Sequence, residues 1–180
     1  MKKKIAVVAL LALVAALLFW WVQVRKDLIL SEKDLIPVIQ RTVGTDAPLA
    51  VLEEYTSDKI DDRLVLCYTT EGAGEPRFYA VELHKTRIGY QCHQTFLVER
   101  GKDIYVVVWF QGSVFLINNP NAAYIQISRT SPAGETVRIP VTEVPFTYYW
   151  NRDEDPWRTE GDGTASYEYL FFDKAGKEIK

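Results

Sequence analysis

The sequence predicts a mainly β protein: an antiparallel meander or β-sandwich-like domain of about ten strands, behind an N-terminal transmembrane helix and one short amphipathic helix. Three observations predict it. An apolar run fills residues 5–24, helical spacing follows in the thirties, and from residue 49 the period becomes two. The strand windows are rich in β-branched and aromatic residues and are separated by turn-forming clusters. With 48% hydrophobic and 13% aromatic side chains the chain is not disordered; 10 Gly, 8 Pro and two Cys exclude collagen-like and disulfide-scaffold architectures.

The first element is the run Ile5 to Val24, in which Gln23 alone is polar. At 1.5 Å per residue such a helix spans roughly 30 Å, the hydrocarbon thickness of a bilayer. It ends in Phe19, Trp20 and Trp21, whose rings suit the interface, and is flanked by Lys2, Lys3, Lys4 and by Arg25, Lys26. A cleaved signal peptide would need a small-residue pair near its end, and the stretch Leu17 to Val24 offers none. No Cys follows for a lipid anchor. The expectation is an uncleaved, single-pass signal anchor: a cytoplasmic tail at 1–4, the span at 5–24, and the rest outside the cell membrane, since a short basic tail is the easier part to retain inside.

A juxtamembrane segment, 25–48, comes next. Ser31 followed by Asp34 has the form of a helix cap, and Leu35, Ile36, Val38, Ile39 and Val43 follow helical spacing to a stop at Gly44. Pro37 is expected to shorten or kink this helix. Its stripe lacks a basic face, so it docks on the domain rather than on lipid.

The β domain occupies 49–180. Its strands are expected at 49–55, 63–70, 76–84, 90–99, 103–110, 113–118, 123–129, 135–140, 144–150 and 166–173. Ile104 to Phe110 is almost continuously apolar and reads as a central strand covered on both faces. Pro140 and Pro145 place their strands at an edge or end. A soft boundary falls near 118–122, with consecutive hairpins before it and longer, Greek-key connections after it.

Charge narrows the partners. Residues 1–26 hold five of the 21 basic side chains and none of the 24 acidic ones, leaving the remainder at −8. A surface of that sign repels phosphate, so nucleic acid is excluded as a partner. Catalytic signatures are missing: no serine sits in a Gly-x-Ser-x-Gly elbow, and there is no phosphate loop and no His-Glu-x-x-His helix. Cys92 and His93 are neighbours on a strand and point to opposite faces. His84, His93, Cys67 and Cys92 match no zinc-ligand spacing and read as core or surface residues. A Cys67–Cys92 bridge would suit an exported domain, but a simple meander separates the two by a strand, beyond bridging distance.

Two weaker patterns mark one loop. Asn151, Asp153, Asp155 and Asp162 take positions 1, 3, 5 and 12 of a calcium loop. Pro156 stands where that loop needs Gly, and Asp162 where it needs Glu, so no cofactor is expected and a solvated acidic loop is favoured over calcium. Tyr149, Trp150, Trp157 and Arg158 flank or occupy the same loop and form a candidate recognition surface for a protein or envelope ligand. The bland alternative is that alternate residues of Phe146 to Trp150 fill a sandwich core while Trp157 pins the loop.

The C-terminal stretch Tyr167 to Ile179 runs a strand into an Asp173-Lys174-Ala175-Gly176-Lys177-Glu178-Ile179 turn and short return. With the N-terminal anchor, it resembles small uncharacterised membrane-anchored exported proteins of Gram-positive bacteria that end in a similar Asp-Lys-x-Gly-Lys-Glu-Ile turn. That family has no assigned activity, so the resemblance implies a layout and no functional residue. The sequence therefore points to a membrane-anchored extracytoplasmic binding module rather than an enzyme. The alternatives are an envelope-polymer hydrolase using loop carboxylates such as Glu160 and Asp162, or a structural accessory of a membrane complex.

Overall fold

A computed structural model describes residues 2–57, 60–71, 75–97, 103–110, 112–131, 133–152 and 165–179. It is mainly β, with two helices and twelve antiparallel-paired strands among the described residues. The chain divides into two compact units, Met1–Leu97 and Val98–Lys180.

The first unit begins with helix α1, Lys2–Arg25. Its side chains are described from Leu10 onward, and within that part no segment is long and apolar enough to cross a membrane. Two residues later the chain makes β1, Leu28–Ile29, and then α2, Glu32–Val43. The cap forms as the sequence indicates. The Asp34 carboxylate accepts the Ser31 N–H at 3.0 Å and the Ser31 hydroxyl at 2.9 Å. These bonds, the hydroxyl's first, hold the Asp34 carboxyl below its ordinary pKa. Gly44 ends the helix in the left-handed region at φ 68°, where a side chain would be strained. Pro37 does not break α2. It lies past the first turn, where it removes one backbone bond, and burial of Leu35, Val38 and Ile39 on the sheet offsets that loss.

Strands β2 (Leu49–Thr56), β3 (Arg63–Thr69), β4 (Phe78–Lys85) and β5 (Tyr90–Leu97) form a meander, and β1 adds to the free side of β5. Gly89 permits that addition, because a Cβ there would stand 2.4 Å from the Ile29 carbonyl oxygen. One sheet face packs on α2: Ile29, Leu49, Val65, Cys67, Tyr79, Val81 and Leu83 join Leu35, Val38 and Ile39 in one cluster. Alternation sends Leu64, Leu66, Phe78 and Ala80 to the opposite face, where they too are buried.

The second unit is a β-sandwich. One sheet holds β6 (Ile104–Trp109), β7 (Gly112–Ile117) and β10 (Phe146–Asn151) in the order β10-β7-β6. The other holds β8 (Ala122–Ser131), β9 (Ala133–Pro140), β11 (Ser166–Asp173) and β12 (Glu178–Ile179) in the order β12-β11-β8-β9. Phe115, Ile117, Phe146, Tyr148 and Trp150 from the first face Ile125, Ile127, Tyr167, Tyr169 and Phe171 from the second. Phe115 meets Tyr169 edge-on at 5.0 Å, and the Tyr169 hydroxyl bonds to Ser113 Oγ at 3.0 Å. The Asp-x-x-Gly turn forms as expected: Asp173 Oδ1 accepts the Ala175 and Lys177 N–H groups at 2.9 and 2.8 Å, and Gly176 takes φ 76°.

Two expectations are corrected. Ile104–Trp109 is an edge strand with Val108 66% exposed; the strand covered throughout is β7, buried at all six positions. The reason is non-local, since β10 arrives from far downstream to pair with β7. The boundary also falls after Leu97 rather than near 118–122. Residues 118–121 form a turn that carries the chain from β7 in one sheet to β8 in the other, a crossover within a single sandwich. Pro140 does end an edge strand, β9, and Pro145, after a cis Val144–Pro145 bond, precedes another, β10.

Candidate functional site

The candidate recognition residues begin on β10. Pairing with β7 sets Tyr149 opposite Val114 and Trp150 opposite Ser113, so successive rings leave the strand on opposite faces. Trp150 is buried in the sandwich and meets Tyr167 edge-on at 6.2 Å. Tyr149 lies on the other side, with its ring 5.6 Å from buried Trp109. The structure thus does not bring Tyr149 and Trp150 together on one surface. Alternate residues Phe146, Tyr148 and Trp150 all belong to the core.

Asn151 ends β10 opposite Gly112, and Arg152 lies over the Tyr167 ring at 5.6 Å. Gly112 is needed here, because a Cβ would stand 2.4 Å from the Trp150 carbonyl oxygen. Trp157 and Arg158, the carboxylates Asp153, Asp155 and Asp162 of the calcium pattern, and Glu160 lie outside the described residues.

The cysteines follow from the meander. Cys67 on β3 and Cys92 on β5 both turn toward α2, with β4 between them, and both are free thiols. Two strand spacings, roughly 9–10 Å, exceed the ~7 Å limit for a bridge. Burial pushes the Cys67 thiol up to about 12, and burial also raises that of Cys92. A thiol held protonated is the reverse of an activated nucleophile.

The constellation that the sequence reading missed lies on the sheet face opposite α2. Asp62, buried just before β3, places Oδ2 3.0 Å from Nδ1 of His84 on β4, while its Oδ1 accepts the Lys85 N–H at 2.8 Å. His93 on β5 stands beside His84, ring centroids 6.1 Å apart. The sequence signal was partial. His84 stands two residues before the 86–89 hairpin turn and His93 four after it, so His84 pairs with Gln91. It is the irregularity between Glu82 and Leu83 that brings the two rings near each other.

On the α2 face of the same hairpin, Arg63 and Lys85 sit over the Tyr90 ring at 5.0 and 4.5 Å. Arg63 also pairs with Glu54 on β2 and with Glu32 of α2. This cluster ties α2 to the sheet and offers no chemistry of its own. Among the described residues no group of three or more His, Cys, Asp or Glu side chains is arranged to hold a metal ion.

No family, no curated protein and no solved structure matches the chain.

Proposed function

We propose that this protein is a single-pass, membrane-anchored binding module whose β units stand outside the cytoplasm and work by contact rather than catalysis. One observation carries the reading. Helix α1 exposes Leu10, Leu11, Leu13, Val14, Leu17, Leu18, Phe19, Trp20, Trp21 and Val22, with no polar face among them. Leaving ten such side chains half-covered in water forfeits on the order of 10 kcal/mol. A helix apolar on every side finds its stable setting in lipid. Its 24 residues, at 1.5 Å each, reach roughly 36 Å, and the Trp pair with flanking Arg25 suits a headgroup boundary. The tail's likeness to membrane-anchored exported proteins agrees with this placement.

Contact rather than catalysis is supported by the protonated thiols, and by a His84 imidazole that hydrogen-bonds no nucleophilic side chain among the described residues. The candidate contact segment is 151–164, where Trp157 and Arg158 stand in sequence.

The test has two arms. Alkaline carbonate extraction is expected to leave the full chain in the membrane pellet, and a C-terminal reporter that works only outside the cytoplasm is expected to be active. A trimmed, freely secreted product, or activity of a cytoplasm-only reporter, overturns the placement. Crosslinking pull-downs with and without 151–164 then test the contact segment: unchanged partners remove it from the proposal. Co-purification in fixed stoichiometry would identify the accessory-subunit reading instead.

A further inference from the structure

The two histidines are the only ones in the chain, and folding sets them side by side. Leu83 pairs with Cys92 and Glu82 with Gln94, so His93 is the extra residue of a β-bulge. Bulges re-aim side chains, and this one leaves the His93 ring tilted 49° against that of His84. Both are exposed.

Asp62 decides which nitrogen of His84 is available. Its carboxylate is buried and anchored by the Lys85 amide, so it accepts the Nδ1 proton of His84. A neutral imidazole with Nδ1–H engaged carries its lone pair on Nε2. A carboxylate that fixes the tautomer and orientation of an imidazole is the recurring support of a metal-binding histidine. A hydrogen bond to an exposed imidazole gives little stability in return for a buried carboxylate, so stability alone accounts poorly for the arrangement. His93 has no hydrogen-bond partner among the described residues, which leaves its ring nitrogens available.

We propose that His84 and His93 form a two-histidine site for a divalent transition-metal ion of the zinc, copper and nickel class. Asp62 is the positioning residue, and water fills the remaining coordination positions. Imidazole nitrogen selects that class over calcium and magnesium, which take oxygen. Metal–nitrogen bonds of ~2 Å in tetrahedral geometry set two ring centroids roughly 5 Å apart. Exposed His93 covers the difference of about 1 Å by side-chain rotation.

The experiment uses the full chain in detergent micelles, freed of metal, with Zn²⁺ followed by calorimetry and Cu²⁺ by electron paramagnetic resonance. One saturable ion per chain is expected, and the copper spectrum should show coupling to two nitrogens. His93→Ala and His84→Ala should each weaken binding by more than the roughly 10–100-fold that loss of an orienting carboxylate causes. Asp62→Asn should weaken it within that range while both nitrogens stay in the spectrum. Cys92→Ser, on the opposite face, should bind as the parent does. Circular dichroism verifies that each variant is folded; His93 is exposed, so its replacement leaves the core intact. The proposal is overturned if the parent shows no saturable binding below ~1 mM. Equal affinity in His93→Ala, dependence on Cys92, or an unaltered Asp62→Asn variant would each overturn it as well.

Discussion

Replacing Trp150 by Ala separates a packing role from a recognition role for the aromatic end of β10. The indole is 6% exposed and enclosed by both sheets of the sandwich. Removing it from the core withdraws roughly 150–250 Å² of buried surface, or about 4–6 kcal/mol at 25 cal/mol per Å². Measured costs of Trp or Phe truncation, about 3–5 kcal/mol, set the same scale. The edge-on contact with Tyr167 at 6.2 Å contributes about 1 kcal/mol of that. A unit of this size has about 5–10 kcal/mol in all, so the variant should stand near its unfolding point. Urea titration by circular dichroism, on the full chain in detergent, should show the second unit's midpoint lowered by about 3 M or more. Trp150→Phe should recover most of the loss. A Trp150→Ala variant that loses under about 1 kcal/mol yet fails to bind a partner would refute the core assignment.

Other outcomes follow from the same packing. Cys67 keeps its proton in the native state up to about 12, whereas an unfolded thiol releases it near 9. The unfolded chain then holds fewer protons, so stability present below pH 9 falls as pH rises toward 12, by about 1.4 kcal/mol per unit. Cys67→Ala should flatten that slope in urea titrations at pH 8 to 10.5; identical slopes would contradict it. Thiol counting on unreduced protein should find two free thiols after denaturation and slow reaction at Cys67 before it, and none after denaturation would refute the meander. Gly44→Ala meets nothing within 4 Å but must hold φ 68°, so it should cost about 1 kcal/mol. Gly112→Ala, driven into the Trp150 carbonyl, should cost about 3 kcal/mol, and an equal loss from both glycines would contradict the close strand approach.

Local chemistry made much of the fold legible. Ser31, Asp34 and Gly44 bracket α2 because capping bonds join residues close in sequence. Strand windows were readable wherever one face is buried and period two survives, as in Ser166 to Tyr169, where exposed Ser166 and Glu168 alternate with Tyr167 and Tyr169 packed on the core. β1 was not readable: two residues show no period, and Leu28–Ile29 exist as a strand only through β5. The edge position of β6 was hidden for a like reason, since hydrophobicity reports burial and not which strand later arrives alongside. At the candidate site, the opposed faces of Tyr149 and Trp150 follow from strand alternation alone. The nearness of Asp62 to His84 does not, because it depends on strand register across the sheet.

The joint between α1 and the first sheet is short. Only Lys26 and Asp27 separate the helix from β1, and the Arg41 guanidinium of α2 donates back to the Lys26 carbonyl. A hinge needs several loose residues to swivel, and this one has a brace across it. With α1 seated in the bilayer as proposed, the meander rides on the headgroup layer as a fixed fitting rather than a float on a line. Tilting or turning the helix would then reorient the sheet with it, and whatever docks on that sheet must approach the lipid surface to do so.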